Sequence, residues 1–271
     1  MKLKRFAALT LTAALTLSLA ACGAPKDKTA SDLKYVQDAG KLKIGYTLFE
    51  PMNYKNDKGE FVGFETEFAT AVCKKLGVTP EFVEINWDSK TMELEAKNID
   101  CIWNGMTITP ELSEALAISK PYIKNYQVVV IRTADADKYK TTADLAGVKL
   151  EAEAGSAGEG AVQGDENLSK ATYTAVTKQA DALLEVKAGA ADAAVMDFVL
   201  ANAMAGQGDY SDLMVIPDLQ LSVEEYGIGF RKGSDVAAKV DEAMDALIAD
   251  GTLGKLAETY ELSELLLANQ K

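Results

Sequence analysis

The sequence predicts an α/β protein of two lobes, each a doubly wound, mainly parallel sheet, and three observations carry that prediction. At 271 residues the chain is longer than one hydrophobic core usually serves, and its 48% of apolar residues suffice for a core in each of two lobes. Apolar positions switch between a spacing of two and a helical spacing, in the strand, helix, strand order of a wound sheet. That series runs to about residue 105 and restarts near residue 127.

At the start, Lys2, Lys4 and Arg5 lead into an apolar stretch closed by Leu19, Ala20, Ala21 and Cys22. This is the pattern of an export signal over residues 1–21, with a lipidation cysteine at Cys22. Residues 22–35 begin with Gly23, Ala24, Pro25 and Lys26, lack periodic apolar positions near the cysteine, and read as a flexible, lipid-anchored linker. Leu42, Ile44 and Tyr46 then alternate as a strand, Asn56 to Gly59 supply turn chemistry, and Phe64, Phe68, Val72 and Leu76 repeat at helical spacing up to Gly77. Val83, Ile85 and Trp87 alternate again, a helix is expected over 89–97, and Ile99, Cys101, Ile102 and Trp103 form a buried strand ending at Asn104 and Gly105.

In the second series, the β-branched run Val128 to Ile131 reads as a buried strand, and Val148 to Ala154 as another, stopped by Gly155. Leu183 and Leu184 belong to a helix ending near Gly189, and Ala193 to Met196 form a strand that delivers Asp197 at its carboxyl end. Tyr226 to Phe230 returns as a strand, Val236, Val240, Met244 and Leu247 share one helical face, and a last helix is expected over 253–267. No run of about 18 apolar residues beyond the leader is uninterrupted, since Asp192 and Asp197 break the best candidate.

The formal charge of −13 excludes phosphate-backbone binding as a function, because that affinity comes from Lys and Arg. The chain has no histidine, which removes the usual zinc sites, the Ser-His-Asp triad and the commonest general base. No catalytic residue, metal or cofactor is therefore expected. With Cys22 lipidated, Cys73 and Cys101 remain; an even pair in an exported chain is compatible with a disulfide, while the lack of a short framework spacing favours two buried thiols, one on a helix and one on a strand. Ligands of open parallel sheets bind beyond the carboxyl ends of the strands, which places a site among Phe49, Trp87, Asn104 to Thr109, Gly155 to Glu159 and Asp197.

The segments 59–65 (GEFVGFE), 99–111 (IDCIWNGMTITPE), 193–197 and 226–232, in this order, resemble the family-3 extracellular solute-binding proteins of polar amino-acid ABC importers. The resemblance covers residues 40–261. It implies a periplasmic-binding-protein-like (type II) fold, hinged by two strands near 125–130 and 221–227, with lobe 1 over 36–126 and 223–271 and lobe 2 over 127–222. It implies a monomer on the extracellular face of the membrane, held by a lipid such as palmitate on Cys22 and lying on the periplasmic side where an outer membrane is present. Its partners would be an amino acid or amine, an ABC permease and that permease's ATPase, with no nucleic acid.

By the same resemblance, Phe49 and Trp87 form aromatic walls for the ligand's side chain. Asn104, the Gly105 carbonyl, Thr107 and Asp197 hold its α-ammonium, and the loop of Ser156 and Ala157 holds its α-carboxylate at a helix N-terminus. One departure stands out. Leu112 occupies the place where the family carries an arginine that grips the carboxylate, while Glu153 stands where an apolar residue is common. Two alternatives follow: the carboxylate is held by Thr107 and the Ser156 loop alone, or the ligand is cationic and its carboxylate contributes less than usual. Two other functions on this fold are a ligand-sensing lipoprotein and a dehydratase-like enzyme using Glu153 with Lys90 or Lys120.

Overall fold

Ser31 sets the first element of the structure, a computed structural model that describes residues 31–270. Its hydroxyl accepts the Lys34 N–H at 2.9 Å and opens α1 (Asp32–Ala39), which Gly40 ends in a left-handed conformation. Residues 32–35, expected in the linker, therefore belong to the fold. Asp32 is tied into it by the Arg231 guanidinium at 2.8 Å. The leader, Cys22 and the linker up to Ala30 lie outside the described residues.

Lobe 1 continues with β1 (Lys41–Tyr46), the hairpin of β2 (Tyr54–Lys55) and β3 (Phe61–Val62), α2 (Phe64–Leu76), β4 (Thr79–Glu84), α3 (Lys90–Glu95), β5 (Cys101–Ile102), α4 (Pro110–Ala115) and β6 (Ala117–Ile118). Trp87, expected at the end of a strand, sits in a 3-10 turn, Trp87–Ser89, because the Asn86 side chain accepts the Asp88 N–H and pulls the backbone out of the ladder. Lobe 2 holds β7 (Ile123–Arg132), β8 (Lys149–Glu153), α5 (Ala157–Gly164), β9 (Thr172–Val176), α6 (Gln179–Ala188), β10 (Ala193–Asp197), α7 (Phe198–Met204) and β11 (Leu213–Tyr226). The chain returns to lobe 1 with β12 (Gly229–Phe230), α8 (Val236–Ala249) and α9 (Thr252–Thr259). The last helix is thus shorter than expected. Glu261, at φ +58, turns the chain out of it, and Leu266 pairs with Ile123 at the start of β7.

The first sheet runs β4-β1-β5-β12-β6 and the second β9-β8-β10-β7-β11. In each, four strands run one way and one runs against them, β12 in the first sheet and β7 in the second, so half of the pairings are parallel and half antiparallel. The physical reason is the crossing between lobes: a strand that enters its sheet from the other lobe arrives from the opposite end. Among the described residues, the sheets are joined by the short connections 119–122 and 227–228.

The same clamp closes both sheets. Asp100, just before β5, accepts the Lys43 N–H and an Arg231 N–H, while Arg231 also donates to the carbonyls of Leu94 and Ile99. Asp192, just before β10, accepts the Lys149 N–H and an Arg132 N–H, while Arg132 donates to the carbonyls of Val186 and Ala191. Each arginine thus ties a carbonyl near the end of a helix, Leu94 or Val186, and one in the loop after it, Ile99 or Ala191, to the start of the next strand. Cys73 and Cys101 are free and buried, and burial pushes the Cys73 thiol up to about 12.

Candidate ligand-binding cleft

A cavity of about 890 Å³ opens between the carboxyl ends of the two sheets, and all nine residues singled out above line it. Gly105 is the pivot of its lobe 1 side. At φ +56 it turns the chain after β5, and a side chain there would come within 2.4 Å of the Phe49 ring, so the ring lies flush against the glycine. The Gly105 N–H donates to the Glu65 carboxyl at 2.9 Å, and the Tyr122 hydroxyl donates to the same group. Burial pushes Glu65 up to about 7 against those two donors.

Four of the residues expected to touch a ligand also have partners within the protein. Asn104 is engaged within lobe 1: its oxygen accepts the Thr47 N–H and hydroxyl, and its NH₂ donates to the Thr47 carbonyl and to Asn53. All its hydrogen-bonding capacity is used, and it fixes the loop that carries Phe49, whose N–H donates to the Asn53 carbonyl. Trp87 is buried at the wall, yet the ammonium of Lys90 already covers its ring at 4.8 Å from the centroid. The Ser156 hydroxyl caps α5 by accepting the Glu159 N–H, and the Gly155 N–H beside it is taken by the Glu159 carboxylate at 2.7 Å. Thr107 donates its hydroxyl proton to Glu224. Of the lysines in the enzymatic alternative, Lys120 pairs with Asp245 on the surface, and Lys90 donates to two carbonyls while its charge acts on Glu153.

Asp197 ends β10 at the floor of the cleft, 4% exposed. It stands at the N-cap position of α7 and makes no cap bond; instead it accepts from Asn125 at 2.5 Å, Gln127 at 3.0 Å, Tyr226 at 2.8 Å and Gln179. Burial, reinforced by the Glu224 charge, raises it to about 7 despite these donors. Glu153 ends β8 beside it. Burial and the Asp197 charge push Glu153 up to about 8, the Gln179 side chain and the Lys90 charge pull the other way, and its Oε1 is buried without a partner.

Asn125, Gln127, Gln179, Tyr226, Glu224 and Glu65 were not among the residues expected at the site. A signal existed for two of them: Asn125 and Gln127 sit two apart at the entry to the apolar run Val128–Ile131 of one strand, which places both polar groups on one face. The cleft is also bridged. Lys90 of lobe 1 donates to the Gly155 carbonyl of lobe 2 at 2.8 Å, and Lys178 of lobe 2 pairs with Glu84 of lobe 1 at 2.7 Å.

With a two-lobed fold and an acidic cleft in place, comparison with known proteins becomes specific. Residues 42–263 match the bacterial extracellular solute-binding proteins, family 3. The chain belongs to this family. One relative is the arginine-binding extracellular protein ArtP of Bacillus subtilis (strain 168), 27% identical over 266 residues that cover 97% of this chain and all of that protein. An ABC uptake transporter substrate binding protein from Streptococcus pneumoniae, solved with bound histidine, is 28% identical with a TM-score of 0.79, over 88% of this chain and 99% of that one. The ancestral amino acid-binding protein AncCDT-1, a precursor of cyclohexadienyl dehydratase, is 32% identical with a TM-score of 0.78, over 85% of this chain and 99% of that one. The relatives described with arginine and histidine are thus binding proteins by description, and the α/β, two-lobed architecture is common to the solved neighbours. Among the described residues no helix is long and apolar enough to cross a membrane.

Proposed function

We propose that the chain is an extracellular receptor that closes its lobes on a small ammonium-bearing solute, an amino acid or its amine relative, and delivers it to an ABC permease driven by its ATPase. Lipid on Cys22 anchors it, as a monomer, to the extracellular face of the membrane, and it catalyses no reaction. The observation that carries the proposal is Asp197, a carboxyl buried at the floor of the interlobe cavity where the carboxyl ends of both sheets meet. A cation brought there gains charge-assisted hydrogen bonds in a site shielded from water. The family membership and the arginine- and histidine-binding relatives support the same solute class.

The test is a thermal-shift screen of amino acids and amines, since a solute bound by the folded chain alone raises its melting temperature. At least one member is expected to raise it by several degrees, and Asp197→Asn, which keeps an acceptor for the surrounding donors while removing the charge, is expected to lower that solute's affinity by about 100-fold. A chain that melts cooperatively and responds to no member of the screen would sink the proposal.

A further inference from the structure

The charges around the cleft narrow what it accepts. Six carboxyl groups line the cavity, from Glu111, Glu153, Glu159, Asp165, Asp197 and Glu224, against one ammonium, Lys90, and no guanidinium. Several of the donors that the resemblance assigns to the ligand, and others beside them, are spent. Thr107 gives its proton to Glu224, the Gly155 N–H goes to Glu159, the Asn104 amide goes to Thr47 and Asn53, and Lys90 serves the carbonyls of Trp87 and Gly155. The N–H groups of Ala157 and Gly158 remain at the start of α5, but Glu159 lies in that same first turn and already answers the positive end of the helix.

Acceptors, by contrast, are in surplus. Glu153 is 4% exposed, lines the cavity and has an oxygen with no donor, although Lys90 is close enough to influence its charge. A ligand carboxylate would add a seventh acidic group to this wall and find few donors. An ammonium or guanidinium supplies the N–H that Glu153 lacks and lowers the repulsion among the rest.

Building on the amino-acid-or-amine reading above, we infer that the cleft selects a cationic amine or guanidine that carries no carboxylate, held through Asp197 and through the unpartnered oxygen of Glu153. The experiment is calorimetry on the wild-type chain with three matched pairs, L-arginine and agmatine, L-lysine and cadaverine, L-ornithine and putrescine, which differ within each pair by one carboxylate. In at least one pair the decarboxylated member is expected to bind about ten-fold more tightly or better, and Glu153→Gln is expected to weaken that member by about ten-fold while the chain stays folded by circular dichroism. Equal or tighter binding of the parent amino acid in every pair that binds overturns the inference and leaves the receptor function standing. Unchanged affinity in Glu153→Gln overturns the role of Glu153. If a wild-type chain that is folded binds none of the six and nothing in the wider screen, the receptor function falls as well.

Discussion

Three buried carboxyls sit near neutrality for the same reason. Glu153 rises from an ordinary 4.5 to about 8, Glu65 from 4.5 to about 7, and Asp197 from 3.8 to about 7, in each case chiefly through burial. Glu153 faces Asp197, Lys90, Gln179 and Asp181; Asp197 faces Glu224, Tyr226, Gln179, Gln127 and Asn125; Glu65 faces Tyr122, the Gly105 N–H and, more distantly, Asp197. Between the ordinary and the raised values, the folded chain holds protons that the unfolded chain has released, so stability falls as pH rises through this window. These three groups contribute fully below about pH 4 and lose their contribution as pH passes through about 7 to 8. Thermal melts of the chain without solute are expected to show a melting temperature that falls from about pH 5 to about pH 8.5. A profile that is flat or rises over that range would count against the buried, protonated carboxyls.

At the scale of elements, the paired clamps of Asp100 with Arg231 and Asp192 with Arg132 join helix ends to the strands beside them. Asp100 is 3% exposed and the Arg231 side chain 12%, so removing one partner leaves the other charge poorly compensated. Asp100→Ala is expected to lower unfolding free energy by about 3 kcal/mol, read by urea denaturation. Asp192→Ala is expected to lose less, because its side chain is 31% exposed. The elements themselves were legible from the sequence: the alternation at Leu42, Ile44 and Tyr46 became β1, and Gly77 and Gly189 end α2 and α6 in left-handed conformations. The clamps were not. Asp100 and Arg231 lie 131 positions apart, and a pairing across such a span has no local spacing to betray it. The same limit explains Asn104. A strand end can be located from periodicity, which brings the residue to the cleft, but the direction of its amide was settled by Thr47 and Asn53, 57 and 51 residues earlier. Lys90 over Trp87 is a nearer miss, since a spacing of three across the start of a helix puts two side chains within reach.

At the scale of the whole molecule, two contacts between the lobes beside the cleft differ in tolerance. The Lys178–Glu84 pair is partly exposed and is worth about 0–1 kcal/mol. Gly155 is the tighter contact: at φ +67 it presses against Asp88 so closely that a Cβ would stand 2.8 Å from the Asp88 carboxylate and 3.0 Å from its backbone. Gly155→Val is therefore expected to wedge the lobes apart, giving a larger radius of gyration by small-angle scattering with solute at saturation and a roughly ten-fold faster release of solute by stopped flow. Unchanged scattering and release would show that the wedge is absorbed locally. The C-terminal segment is stitched to the crossing strand, with the Lys124 N–H donating to the Leu265 carbonyl at 2.8 Å and the Leu267 N–H to the Tyr122 carbonyl at 3.0 Å. On the closure proposed above, a dye tethered at Asn269 would ride on backbone beside the lobe crossing, and its brightness would follow occupancy without touching the solute. The tail of the chain then offers a mounting point for an optical gauge of solute binding.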